Sequence, residues 1–273
     1  MRRIAIVNMK GGVGKTTTAV QIAAGFAARG RRVLLVDADP QGNIGHVLGL
    51  TAPRTVRDLM LGECGPGDAI VREARPGLDV ITATPAAFAL ESQLAGTIQR
   101  ETLLARRLRD VRGVDVLVFD TSPAMNLLTY NALLAANELV LPVGMDSLAL
   151  MGARQTLDGV NEIRGLWPER TLSLAAVVPT AVSAQTHASR AVLEALEADP
   201  EMGARLFRQG IRQCIDLTYA AAACQTIWEY APRSRAAEDY TALLEWLEGR
   251  APAREVREDD EEEAPSVVQR SPA

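Results

Sequence analysis

Lys10-Gly11-Gly12-Val13-Gly14-Lys15-Thr16-Thr17 is the stretch on which the fold turns. It follows Arg3-Ile4-Ala5-Ile6-Val7-Asn8, an apolar run of strand length. It opens Thr16–Arg29, where Ala19, Ile22, Ala23, Phe26 and Ala27 recur at helical spacing. Gly30 is the expected helix stop. Arg32–Val36 is the next strand, ending at Asp37. Strand, helix and strand in about 35 residues predict a βαβ unit, and therefore a parallel sheet covered on both faces. Glycines let backbone N–H groups close around phosphate oxygens, and the start of a helix adds a field that favours anions. Lys15 is placed to reach the β- and γ-phosphates of a nucleotide, and the Thr16 hydroxyl to ligate Mg²⁺. Lys10, Gly11, Gly12, Val13, Gly14, Lys15, Thr16 and Thr17 are thus the candidate nucleotide-binding residues. A strict P-loop has glycine where this chain has Met9, so the loop is a variant that begins with an extra lysine.

Further along, the same alternation predicts strands at Leu78–Thr82, Val114–Phe119, Leu139–Val143 and Leu172–Val178. Helices are predicted at Ala86–Arg109, Ser147–Arg164, around Ala188–Leu196, and over 236–249 with Tyr240, Leu243, Leu244 and Leu247 on one face. Gly62, Gly65, Pro66 and Gly67 punctuate 50–75, where no boundary is read. The expectation is an α/β protein: a single doubly wound, mostly parallel sheet with helices on both faces, occupying residues 1–250.

In such sheets ligands bind beyond the carboxyl ends of the strands. Asp37 and Asp39 lie just past the second strand, and Asp120 ends the most apolar one. A carboxylate in that position suits the outer surroundings of Mg²⁺, acting through water, so Asp39 and Asp120 join Thr16 as candidate metal residues. A local turn cap before Pro40 is the alternative for Asp39, and a strand-end cap that for Asp120.

Composition supports this choice of loop. Of 29 basic residues only two are lysine, Lys10 and Lys15, and both fall in the glycine loop. Random placement of two lysines among the basic positions would hit a given pair about once in 400 trials, and a slim ammonium suits a tight backbone cradle where an arginine fork does not. At 48% hydrophobic and 23% charged the chain reads as a soluble globular protein. It lacks an apolar run of membrane-spanning length and the pattern of a signal peptide, which predicts a cytoplasmic protein without a membrane partner. Cys64, Cys214 and Cys224 form neither a disulfide framework nor a metal pattern, and His46 and His187 stand alone. The net charge of −5 is uneven. Residues 251–273 hold seven acids against three arginines, a local −4, which predicts an acidic disordered tail on a near-neutral body.

The loop, together with Val36-Asp37-Ala38-Asp39-Pro40-Gln41-Gly42-Asn43, resembles the ParA/MinD family of ATPases with a deviant Walker A loop, the ParA branch most of all. Phe119-Asp120-Thr121-Ser122-Pro123, Leu128–Leu133, Leu141-Pro142-Val143 and Glu229–Ala237 extend the likeness from about residue 3 to 248. The resemblance implies catalytic roles for Lys10, Lys15 and Asp39. Lys10 would cross to the partner subunit's nucleotide in a homodimer formed on ATP binding. Lys15 would serve its own phosphates, Asp39 would help position the attacking water, and Asp120 would be the Walker B acid. Pro232 would join the nucleotide site. The resemblance also implies ATP and Mg²⁺ as cofactors, nonspecific DNA binding with nucleoid association, and hydrolysis stimulated by a ParB-like or other cargo-linked protein. The cargo would be a chromosome or plasmid.

The chain departs from the family elsewhere. Two family arginines align with Gln185 and Gln213, and Tyr219-Ala220-Ala221-Ala222-Ala223-Cys224 replaces an acidic-alanine stretch. Arg190, Arg208 and Arg212 are the candidate substitutes for DNA contact, with Arg205 nearby. The alternatives carried forward are an orphan relative that positions a protein cargo or lacks DNA binding, and a MinD-like membrane switch. The acidic tail argues against the latter on anionic lipid. An iron–sulfur reductase would need paired cluster cysteines, and the three present lack that context.

Overall fold

The computed structural model describes residues 1–183 and 186–249. The expected acidic tail and Gln185 lie outside the described residues. Along the chain run β1 (Arg2–Ile6), α1 (Lys15–Ala28), β2 (Val33–Ala38), α2 (Asn43–Leu48), α3 (Val56–Leu61), α4 (Pro66–Ala69), β3 (Ile70–Arg75) and β4 (Leu78–Ile81). Then come α5 (Leu90–Gln93), α6 (Leu103–Arg107), β5 (Val116–Thr121), α7 (Leu127–Ala135), β6 (Glu138–Val143), α8 (Ala149–Leu166) and β7 (Ser173–Val182). The described chain finishes with α9 (His187–Ala198), α10 (Pro200–Gly203), β8 (Ile211–Arg212), α11 (Asp216–Ala222), α12 (Ile227–Tyr230) and α13 (Arg235–Gly249).

The strands form one eight-stranded sheet in the order β3-β4-β2-β5-β1-β6-β7-β8. Every pairing is parallel except β3 with β4. β1 lies between β5 and β6, with Ile6 beside Asp120 on one side and Val140 on the other. The expected doubly wound α/β sheet is therefore present. Alternate residues of each strand feed two separate cores. Ile4, Ile6, Leu35 and Val118 pack against α1 and α13; Ala5, Leu34, Val36 and Phe119 pack against α3, α6, α7 and α8. Burial on both faces explains why these strands read as unbroken apolar runs rather than alternating ones.

Sequence and structure part over 86–109, where a single helix was expected. The chain instead makes a 3-10 turn at Pro85–Ala89, then α5, a second 3-10 turn at Arg100–Thr102, and α6. Its reversal at Gln99 (φ +54°) is held by the buried Asn131 of α7. The Asn131 amide donates to the Arg100 carbonyl, and its oxygen accepts from the Leu104 N–H, each at 2.9 Å. Tertiary hydrogen bonds thus override an alanine-rich stretch with helical propensity. β3 and β8 were not anticipated: one is a half-exposed edge strand and the other has two residues. Among the described residues no helix is long and apolar enough to cross a membrane.

Candidate functional site

The glycine loop leaves β1 and enters α1 in the arrangement expected of a phosphate cradle. Gly14 is the N-cap of α1 at φ +83°, and Gly12 is at φ +75°. Both values lie in the left-handed region, which explains glycine at these two positions. No side chain caps the helix start, so its N–H groups stay free to face an anion.

The loop is anchored from outside at both ends. At its exit, the buried Thr180 of β7 donates its hydroxyl to the Val13 carbonyl at 2.9 Å and also lies 3.2 Å from the Val143 carbonyl. At its entrance, the buried Asn8 donates to the Pro142 carbonyl at 2.7 Å and accepts from the Lys10 N–H at 2.8 Å. The Met9 N–H donates to the Thr156 hydroxyl of α8 at 2.9 Å.

The two lysines take up different positions. Lys15 is buried at 7% exposure, and its ammonium donates to the Lys10 carbonyl at 3.0 Å. Burial lowers its pKa, and the facing carboxylates of Asp120 and Asp39 act in the opposite direction. Lys10 instead projects along the molecular surface, where its ammonium is ion-paired with the exposed Asp146 in the β6–α8 connection.

Three acids converge behind the loop. Asp37 and Asp120 are neighbours in the β2–β5 register, and both are fully buried. Asp37 accepts from the N–H groups of Asp39 and Ile44, each at 3.1 Å. Burial nevertheless raises its pKa to about 7, with the Asp39 carboxylate adding to the rise. Asp120 is different in kind, because neither of its carboxylate oxygens has a hydrogen-bond partner. Burial and the neighbouring Asp37 raise its pKa well above the ordinary carboxyl range, while the facing Thr16 hydroxyl and Lys15 ammonium oppose the rise. Asp39 is buried at 5% exposure and caps a turn: its carboxylate accepts from the Gln41 N–H at 2.9 Å, and its carbonyl from the Gly42 N–H at 3.0 Å. The turn role weighed for Asp39 is thus present. Gly42 closes that turn at φ +71°, and a Cβ there would meet the Ala83 carbonyl oxygen at 2.5 Å.

An orphaned carboxylate beside a threonine hydroxyl and a lysine fits hydrated Mg²⁺. Among the described residues no three His, Cys, Asp or Glu side chains come together as a metal cage. Direct protein ligation would thus fall to Thr16, with Asp120 receiving hydrogen bonds from metal-bound water and Asp39 further out on its turn.

A cavity of about 460 Å³ extends from Gly12, Gly14 and Thr17 to the ends of β7 and β8, bounded by Thr180, Cys214 and Leu217. Pro232, expected in the nucleotide site, does not line it. That residue is exposed between α12 and α13, and α11 supplies the wall instead.

Arg212 is also placed differently from the expectation. It lines the cavity, and its guanidinium is held by the fully buried Asp239 at 2.7 Å and by Glu238 at 2.9 Å. Both carboxylates raise its pKa further and hold the guanidinium against α13. Its claimant, Asp239, stands 27 residues away in α13, and no local pattern joins the two. Arg208 is exposed and paired with Glu197 at 2.5 Å, and Arg190 is exposed on α9. Thr156, Thr180 and Asp146 are contributors that sequence reasoning missed, because a lone threonine or aspartate remote from the loop carries no motif.

Comparison with known proteins agrees with this geometry. A family model described as an AAA domain matches residues 1–171. The chain is 39% identical over 246 residues to the chromosome-partitioning ATPase Soj of Thermus thermophilus, spanning 90% of this chain and 94% of that protein. It is 37% identical over 244 residues to the sporulation initiation inhibitor protein Soj of Bacillus subtilis, spanning 88% and 95%. Among solved structures, cobyrinic acid a,c-diamide synthase from Mycobacterium smegmatis, with bound ATP analog and magnesium, superposes with a TM-score of 0.78. That match has 30% identity and covers 92% of this chain and 97% of that one.

Proposed function

The chain belongs to the ParA/Soj family of P-loop ATPases, and from that premise we propose that it is an ATP-dependent dimerisation switch that partitions DNA. The observation that carries this reading is the division of labour between its two lysines. Lys15 is enclosed with its own loop, while Lys10 lies along the surface with its ammonium held by the exposed Asp146 rather than by its own loop.

On this reading the loop N–H groups and Lys15 bind and neutralise the phosphates of ATP. Thr16 and Asp120 would hold hydrated Mg²⁺, which when bound would offset phosphate charge. Asp39 orients water toward the γ-phosphate. Lys10 reaches the phosphates of the partner subunit, so a complete site forms only between two ATP-loaded copies. DNA is bound nonspecifically by the dimer, with Arg190 and Arg208 as candidate contacts, and a ParB-like protein stimulates hydrolysis and release. The place of action is the cytoplasm, at the nucleoid.

Binding to unrelated duplex DNA, titrated with salt in ATP and in ADP, tests the reading. The expected result is ATP-dependent binding that weakens steeply with salt. Absence of binding at low salt in ATP would replace the DNA cargo with a protein cargo, the reading suggested by Gln185 and Gln213 in place of the family arginines.

A further inference from the structure

At the entrance of the loop Lys10 is held at its N–H, at its carbonyl and, through Asp146, at its ammonium. Its N–H donates to Asn8, which is anchored on the carbonyl of Pro142 in β6. Its carbonyl accepts from Lys15. A Cβ on Gly152 of α8 would lie 3.2 Å from the Lys10 Cβ, so the helix packs closely against the lysine stem. The preceding peptide is held by Thr156, one turn further along α8, whose hydroxyl accepts from Met9 N–H at 2.9 Å and donates to the Gly152 carbonyl at 2.7 Å. Thr156 is fully buried, so no water competes for this bond. The first turn of the same helix and the residue before it present Met151 and Leu148 at more than half exposure, with Met9 partly exposed at the loop entrance. Helix α8 therefore carries an apolar rim outward and grips the Lys10 segment inward.

We propose that Thr156 is a positioning residue that locks the loop entrance to α8, so that Lys10 and the rim formed by Met9, Leu148 and Met151 meet a second copy of the chain as one rigid unit. The inference rests on the dimerisation reading above and adds the residue that sets the aim of Lys10. The Thr156 hydroxyl touches no reacting atom. Its loss leaves Lys15, the loop glycines and the 460 Å³ cavity in place, so binding of nucleotide to the single subunit is retained. What is lost is a fixed starting point for the Lys10 side chain, and with it productive docking of two ATP-loaded copies.

The test compares Thr156→Val, which keeps the shape and removes the hydroxyl, with Thr156→Ser, which keeps the hydroxyl. Sedimentation gives ATP-dependent self-association, a fluorescent ADP analogue gives subunit affinity, and turnover is resolved into kcat and KM. The expected result for Thr156→Val is ADP affinity within about twofold of wild type, association weakened roughly tenfold and kcat reduced, with Thr156→Ser restoring both. Equal association in Thr156→Val and wild type overturns the inference alone. Failure of Thr156→Ser to restore association also overturns it, since side-chain shape and not the hydroxyl would then be at work. Absence of ATP-dependent association in wild type overturns the dimerisation reading and the inference with it. Should Thr156→Val lose ADP affinity as well, Thr156→Ala against Thr156→Ser decides: Ala is expected to lose association while binding ADP, and an associating Ala variant overturns the proposal.

Discussion

Replacing Asp120 with asparagine is expected to stabilise the nucleotide-free protein, although the residue stands at the centre of the site. Both carboxylate oxygens of Asp120 are buried without a hydrogen-bond partner, and Asp37 lies beside it in the sheet. Removing its charge gives up the attraction of the Thr16 hydroxyl and the Lys15 ammonium but relieves its burial and the repulsion from Asp37, the two larger effects. The pH dependence follows from Asp37, whose pKa rises from 3.8 to about 7. A carboxyl that titrates higher in the fold than in the unfolded chain favours folding when protonated. Stability from this acid is therefore full below about pH 4, declines as pH rises toward about 7, and is flat above. A rise of about three pH units corresponds to ~4 kcal/mol for the isolated group. Asp120, whose pKa burial and the neighbouring Asp37 also raise, adds to this loss, and replacing it returns about 1–2 kcal/mol at pH 8, or roughly 2–8 °C in Tm for a chain of this size. The assay is thermal unfolding in EDTA between pH 5.5 and 8. Wild type should lose stability across that window, and Asp120→Asn should lose less and melt higher at pH 8. The reasoning is refuted by a variant that melts lower than wild type at pH 8, or by an unchanged pH dependence.

Other outcomes follow from particular contacts. In turnover assays Asp39→Ala should abolish hydrolysis while still supporting ATP-dependent dimers, and Lys10→Ala should lose those dimers; normal turnover in both variants would remove the assigned roles. Gly25→Ala should destabilise by about 1–3 kcal/mol through overpacking, read as a lower Tm. A Cβ there would lie 2.8 Å from the Trp228 ring and closer still to Leu244, where α1 meets α13. Asn131→Ala should speed amide exchange over residues 100–104, because it strands the buried Leu104 N–H at a cost of about 1–3 kcal/mol. Exchange confined to α7 instead would show that Asn131 does not organise that segment.

What was legible in the sequence was whatever local periodicity or a compact motif encodes. The β1–loop–α1–β2 unit was readable because apolar runs, glycines and the lysine pair are contiguous. Asp37 and Asp120 were readable because each ends an apolar strand. The stretch 86–109 was not, since its path is set by Asn131, 27 residues beyond Leu104 and indistinguishable in sequence from any helical asparagine. Arg212 looked like a free surface cation because Asp239 meets it only after α13 folds against β8. The contact between Lys10 and Asp146 spans 136 residues and depends on β1 and β6 being neighbours, which no local pattern states.

The most direct test of the central claim is the mass of the protein in solution by sedimentation, in Mg-ATP and in Mg-ADP, for wild type and Lys10→Ala. The account predicts a wild-type dimer in ATP, a monomer in ADP, and a Lys10→Ala chain that binds ATP yet stays monomeric. A wild-type chain of the same mass in both nucleotides, or a Lys10→Ala chain that dimerises normally in ATP, would contradict it.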